Sequence, residues 1–102
     1  METISVIGAG AWGTALAQTI AFQGQPVCLW ARKPELADEI NTAHTNSRYL
    51  NGVALSPHIK ATSDLNTAAQ SSILFMVTPA QSMRFVLAEN GNAIRPDHRL
   101  VL

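Results

Sequence analysis

The stretch ISVIGAGAWGTALA, residues 4–17, joins a short apolar run to a helical pattern through three glycines, Gly8, Gly10 and Gly13. A continuous apolar run, rather than an alternating one, marks a strand covered on both faces. After it, WGTALAQTIAFQ reads as a helix whose Gly13, Ala17 and Ala21 recur every four residues, an all-small stripe beside Leu16 and Ile20 that permits close packing on a sheet. A G-x-G-x-x-G run that follows a buried strand and opens a helix has the setting a phosphate-binding turn requires. Gly8 makes the tight turn, Gly10 lets a pyrophosphate approach the backbone, and Gly13 lets the helix lie close to the strand. A bend serving only packing would explain Gly13 but not Gly10. The bulky Trp12 has two readings, a packing residue near the helix start or a ligand contact.

The rest of the chain extends the pattern. Gly24 closes the first helix, and PVCLW is a second buried strand with Pro26 at its first position, where a lost donor is tolerated. KPELADEI predicts a second helix, with Pro34 in its first turn and Glu35, Asp38 and Glu39 loading its N-terminal half. Asp38 and Glu39 read as a solvated face. From Ala43 to His58 no periodicity appears, and so long a loop is functional or disordered; Tyr49 and Leu50 argue against disorder. IKAT is a short strand, Ser63 or Asp64 an N-cap, DLNTAAQ a modest helix and ILFMV a strong strand. Thr78 and Pro79 open a further helix with Met83, Val86 and Leu87 on its apolar face, stopped at Asn90 and Gly91, and HRLVL begins another strand. Strands alternating with helices give an α/β fold, a Rossmann-like doubly wound parallel sheet, truncated at the fifth strand.

Composition narrows the function classes. The 102 residues fit one domain, and 7 basic against 7 acidic side chains offer no field for nucleic acid or an anionic membrane. The lone Cys28 cannot form an internal disulfide and reads as a small buried hydrophobe. His44, His58 and His98 have no metal-ligand spacing, so no metal is expected. With neither a signal peptide nor an apolar stretch of about 18 residues, the expected location is cytoplasmic.

The second strand end carries the cofactor information. A dinucleotide fold commonly places an acid there, about 20 residues past the glycines, to bind the adenosine ribose. Here no carboxylate lies between Glu2 and Glu35, and the strand end reads Trp30, Ala31, Arg32, Lys33. Two cations suit a 2′-phosphate, so NADP(H) is the preferred cofactor; Glu35 could still reach a ribose, which keeps NAD(H) possible. The alternative is that Arg32 and Lys33 are solvated residues before a helix.

Together GAGAWGTALA, LWAR, NSRYLNG and MVTPAQ resemble the bacterial NAD(P)-dependent glycerol-3-phosphate dehydrogenases, in the order that family carries them and over essentially the whole chain. The resemblance implies that Gly8, Gly10, Ala11, Trp12 and Gly13 cradle the cofactor and that Arg32 and Lys33 contact the adenosine phosphate. It implies a cofactor contact at Tyr49, in a loop where Asn51 stands in place of the family's proline, and at Pro79 and Gln81 near the nicotinamide. It further implies that residues 1–102 are an incomplete N-terminal NAD(P)-binding domain without the C-terminal substrate domain. The essential lysines of the family lie in parts not found here, so no residue of this chain is assigned a catalytic role and the chain alone is expected to be inactive. The expected reaction of the whole enzyme interconverts dihydroxyacetone phosphate and sn-glycerol 3-phosphate for phospholipid synthesis, with a homodimer possible through the absent domain. Alternatives are another dehydrogenase of this architecture, of the 3-hydroxyacyl-CoA or ketopantoate type, and a non-catalytic nucleotide-sensing module.

Overall fold

The computed structural model describes residues 3–77 and 99–101. Its elements run β1 (Ile4–Ile7), α1 (Ala11–Phe22), β2 (Val27–Trp30), α2 (Pro34–Ala43), β3 (Ile59–Thr62), α3 (Leu65–Ala68), β4 (Ile73–Met76) and β5 (Arg99–Val101). The strands form one five-stranded sheet in the order β3-β2-β1-β4-β5, and every pairing is parallel. The order reverses between β1 and β4, so the crevice at their carboxyl ends is where a doubly wound sheet takes its ligand. Gly8 stands at the mouth of that crevice.

Alternation along the strands sorts side chains to the two faces of the sheet. Val6, Val27, Leu29, Ile59 and Ala61 pack with Ala17 and Ala21 of α1 and with Ala37 and Ile40 of α2. Ile7, Trp30, Leu74 and Met76 pack on the other side with Leu65 and Ala68 of α3. Both faces are therefore covered, which is why the strands read as apolar runs. The small stripe of α1 is buried as expected, with Gly13 and Ala17 inward. Gly24, at a φ of 86°, then turns the chain out of the helix, its amide donating to the Ala21 carbonyl at 2.9 Å.

One local reading needs correction, and one open choice is settled. The second helix does not stop at Ile40 but continues through Ala43, and Lys33 is its N-cap rather than its first residue. Asn41 and Thr42 are weak helix formers; what holds the extra turn is tertiary, because the Asn41 amide donates to the Ala61 carbonyl and accepts from the Ala61 amide, both at 2.8 Å. The residues after it, from His44 on, are ordered by hydrogen bonds despite their lack of periodicity. Asp64, not Ser63, caps α3, its carboxylate accepting from the Asn66 amide at 3.0 Å. The helix expected from Thr78 to Asn90, with Met83, Val86 and Leu87, lies outside the described residues, as does His98.

Candidate functional site at the glycine turn

Gly8 ends β1 at a φ of 125°, a conformation that excludes most other residues, and its amide donates to the Trp30 carbonyl at 3.1 Å. Gly13 faces the turn from inside α1: a methyl group there would overlap the Gly8 carbonyl oxygen and lie 2.9 Å from its carbon. Gly10 is different. A methyl group at Gly10 would meet no atom within 4 Å, and its φ of −72° and ψ of −170° suit any residue. Neither packing nor backbone strain among the described residues asks for glycine at that position.

Gly10 is also the N-cap of α1, where it supplies no side-chain acceptor, and no acid occupies the first turn. The helical ladder begins with the Thr14 amide donating to the Gly10 carbonyl at 3.0 Å. The amides of Ala11, Trp12 and Gly13 precede that bond, and no side chain caps the positive end of the helix among the described residues. Such an end takes an anion. Trp12, in the first turn of α1, is 83 % exposed, so it has no place in the core.

A loop that begins at α2 is fastened to the back of the turn by a residue the sequence had marked only as the start of a motif. Asn46 is fully buried; its amide donates to the Ala9 carbonyl at 3.0 Å and to Thr14 Oγ1 at 2.8 Å, while its oxygen accepts from the Tyr49 amide at 3.2 Å. Thr14 Oγ1 in turn donates to the same Ala9 carbonyl at 3.3 Å. Tyr49 thereby sits on a loop tied to the glycine turn, its ring exposed and the Arg48 guanidinium 5.5 Å from the ring centre. Further along the loop, the Leu55 amide closes on the His44 carbonyl at 2.8 Å, and the Ser56 amide reaches Gln18 of α1 at 2.8 Å. Asn46 carries one local signal in the sequence, the reach of its side chain to the amide three residues on. Its distant partners leave none.

Glu39 lies on the helix face read as solvated and is open to solvent, but it also holds the loop. Its carboxylate accepts from Thr45 Oγ1 and the Ser47 amide at 2.7 Å each and from Ser47 Oγ at 3.0 Å, gripping the loop on both sides of Asn46. The Thr45 hydroxyl, and then the Ser47 amide, hold this carboxyl below the usual carboxylate range. As pH falls below that range, the unfolded chain takes up a proton that folded Glu39 refuses, so stability declines and the contribution is gone once the folded carboxyl protonates. The Tm of the unmodified protein is therefore expected to fall more steeply in acid than that of Glu39→Gln, and matching Tm against pH curves would remove this anchor. The effect is small, because the group is open to solvent.

Arg32 and Lys33 are exposed just past β2, on the same carboxyl edge of the sheet as Gly8, and Glu35 is exposed in the first turn of α2. Pro79 and Gln81 lie outside the described residues. Cys28 is partly buried, and burial pushes its thiol up against a smaller opposing pull from the Ser5 hydroxyl; a protonated thiol is no nucleophile. The groove of about 580 Å³ that Cys28 lines with Asn41, His44 and Lys60 lies along the β3 edge and includes none of the glycine-turn residues. No group of His, Cys, Asp and Glu among the described residues is arranged to hold a metal ion.

Comparison with known proteins agrees with this geometry. Residues 3–102 match the family model described as the N-terminus of NAD-dependent glycerol-3-phosphate dehydrogenase. A glycerol-3-phosphate dehydrogenase [NAD(P)+] of Parvibaculum lavamentivorans is 54 % identical over 97 % of this chain and 30 % of its own length. The corresponding protein of Hyphomonas neptunium is 48 % identical over 99 % of the chain and 30 % of its own length. The crystal structure of glycerol-3-phosphate dehydrogenase from Coxiella burnetii superposes with a TM-score of 0.87 at 31 % identity, covering 97 % of this chain and 31 % of that one. The chain thus spans about 30 % of the length of the curated relatives it matches. On its sequence, its sheet order and its glycine turn, it belongs to the NAD-dependent glycerol-3-phosphate dehydrogenase family and corresponds to that family's N-terminal part.

Proposed function

We propose that this chain is the dinucleotide-binding part of an enzyme that interconverts dihydroxyacetone phosphate and sn-glycerol 3-phosphate, with NADP(H) preferred and NAD(H) accepted. The observation that carries the reading is the uncapped start of α1 at Gly10, where the backbone is accessible and a methyl group would fill open space. A pyrophosphate placed there meets the amides of the first helical turn and the positive end of the helix dipole. Gly8 and Gly13 shape the turn, the family resemblance adds Ala11 to the cradle, and the exposed Trp12 and Tyr49 offer flat apolar surfaces to the cofactor. Arg32 and Lys33, past the end of β2, supply charge for an adenosine 2′-phosphate. A bound nicotinamide supplies the hydride for the carbonyl–alcohol interconversion. Pro79 and Gln81 follow β4 in the sequence, and the family resemblance assigns them to the nicotinamide.

The residues of this chain bind and orient; proton transfer and most substrate contacts belong to parts of the enzyme beyond it. The cofactor partner is thus a dinucleotide, and a phosphorylated three-carbon substrate and a homodimer are properties of the whole enzyme. No helix among the described residues is long and apolar enough to cross a membrane.

Cofactor choice is tested at Arg32. Hydrogen bonds to charged groups contribute about 1.5–3 kcal/mol, so Arg32→Ala is expected to weaken NADPH binding roughly ten- to a hundredfold. NADH binding should change little. Equal losses for both, measured by calorimetry, would remove the 2′-phosphate assignment.

A further inference from the structure

We propose that Asn46 is a positioning residue, which holds the Ala9–Gly10 peptide so that the Gly10 amide faces the pyrophosphate. This rests on the reading that the glycine turn takes a dinucleotide.

In a planar trans peptide the carbonyl and the amide hydrogen point in opposite directions. The Ala9 carbonyl is drawn inward by two donors, Asn46 Nδ2 at 3.0 Å and Thr14 Oγ1 at 3.3 Å, and both donor residues are fully buried. The Gly10 amide of the same peptide therefore points outward, away from the buried Asn46 and Thr14. Without those donors the peptide could turn over at little cost, because Gly10 is sterically permissive. Turned over, it would present a carbonyl oxygen to an anion where an amide is needed.

Asn46 is itself held in one orientation. Its two amide hydrogens go to Ala9 and Thr14 and its oxygen takes the Tyr49 amide. Exchanging nitrogen and oxygen would set an acceptor against the Ala9 carbonyl and a donor against the Tyr49 amide. The loop that carries Tyr49 and the orientation of the turn peptide are thus set by one side chain. Glu39 holds that loop from outside and touches neither Ala9 nor Thr14 in any of its bonds. It serves as the control.

The test measures NADPH binding by fluorescence titration of the full chain and its variants, with folding monitored by circular dichroism. Asn46→Asp keeps the acceptor for Tyr49 but removes the donors to Ala9 and Thr14, and Asn46→Leu removes the amide without adding charge. Both are expected to bind NADPH about tenfold more weakly or worse, whereas Glu39→Gln should stay within about twofold, as an exposed anchor should. NADPH affinity at the unmodified level in either folded Asn46 variant overturns the proposal, and so does an equal loss in Glu39→Gln. Should neither Asn46 variant fold, amide exchange in the unmodified protein decides. The Gly10 amide is expected to exchange freely without cofactor and to be protected by NADPH, and protection already present without cofactor overturns the outward orientation. If the unmodified chain fails to bind NADPH, the cofactor reading falls, an outcome distinct from normal binding that is insensitive to Asn46.

Discussion

Gly13→Ala is expected to lower stability by about 3 kcal/mol or more, against a total of roughly 5–15 kcal/mol for a domain of ordinary stability. Helix propensity alone argues the opposite, since alanine improves on glycine inside a helix by about 0.5–1 kcal/mol. The contact decides the sign. The new methyl group would overlap the Gly8 carbonyl oxygen; a Cβ is fixed by its own backbone and the oxygen is itself backbone, so no rotamer change relieves the clash. The start of α1 must move away from β1, and the packing of Ala17 and Ala21 against Val6, Val27 and Leu29 moves with it. Urea unfolding followed by circular dichroism would measure the loss, and an unchanged midpoint would show that the helix start and β1 are not in contact.

Gly10→Ala is expected to do the reverse, leaving the fold in place and removing cofactor affinity. Relative to a good cap, an alanine N-cap costs about 0.5–2 kcal/mol, typically ~1, and a glycine one only a few tenths, so the exchange costs roughly 0.5–1 kcal/mol. Restricting the unfolded chain returns about 0.4–1 kcal/mol where the native backbone suits alanine, as it does at this φ. The two nearly cancel, and the Tm should change little. The same methyl group would stand in the open space beside Gly10 that the proposed pyrophosphate site needs. Losing two hydrogen bonds to phosphate, at about 1.5–3 kcal/mol each, corresponds to a loss of NADPH affinity of roughly a hundredfold or more. Full NADPH binding by a folded Gly10→Ala protein would place the pyrophosphate elsewhere.

These two glycines also show what the sequence could convey. The spacing of Gly8, Gly10 and Gly13 between an apolar run and a small-residue stripe encodes a strand, a turn and a helix in contact, because each is a local constraint with its own residue type. The parallel sheet followed from the alternation of apolar runs with helical patterns, whereas its strand order came only with the structure. Asn46 is the opposite case. Its partners stand 37 and 32 positions away, and an asparagine in a polar loop has many local partners to choose from, so nothing nearby singles it out. Glu39 was read as solvated because helical spacing reports which face an acid occupies but not which loop later folds across it. The second helix was cut short at Ile40 for a similar reason: Asn41 looks like a stop until β3 arrives to complete its amide. Trp12 was open between two roles, and only its exposure removed the core from consideration.

The pairing of Asn41 with Ala61 bears on how the protein avoids its neighbours. β3 is a margin of the sheet, and a bare margin invites a strand from another chain to add on. Along this one, the Ile59 amide is taken by the Ser56 carbonyl at 3.1 Å, and both main-chain groups of Ala61 are taken by the Asn41 side chain. An asparagine amide carries the same donor and acceptor as a peptide unit, so α2 closes the margin with an imitation of the strand that would otherwise dock there. Along these two residues, an incoming strand would have to displace bonds already made within the chain, which favours a separate molecule over an open-ended stack.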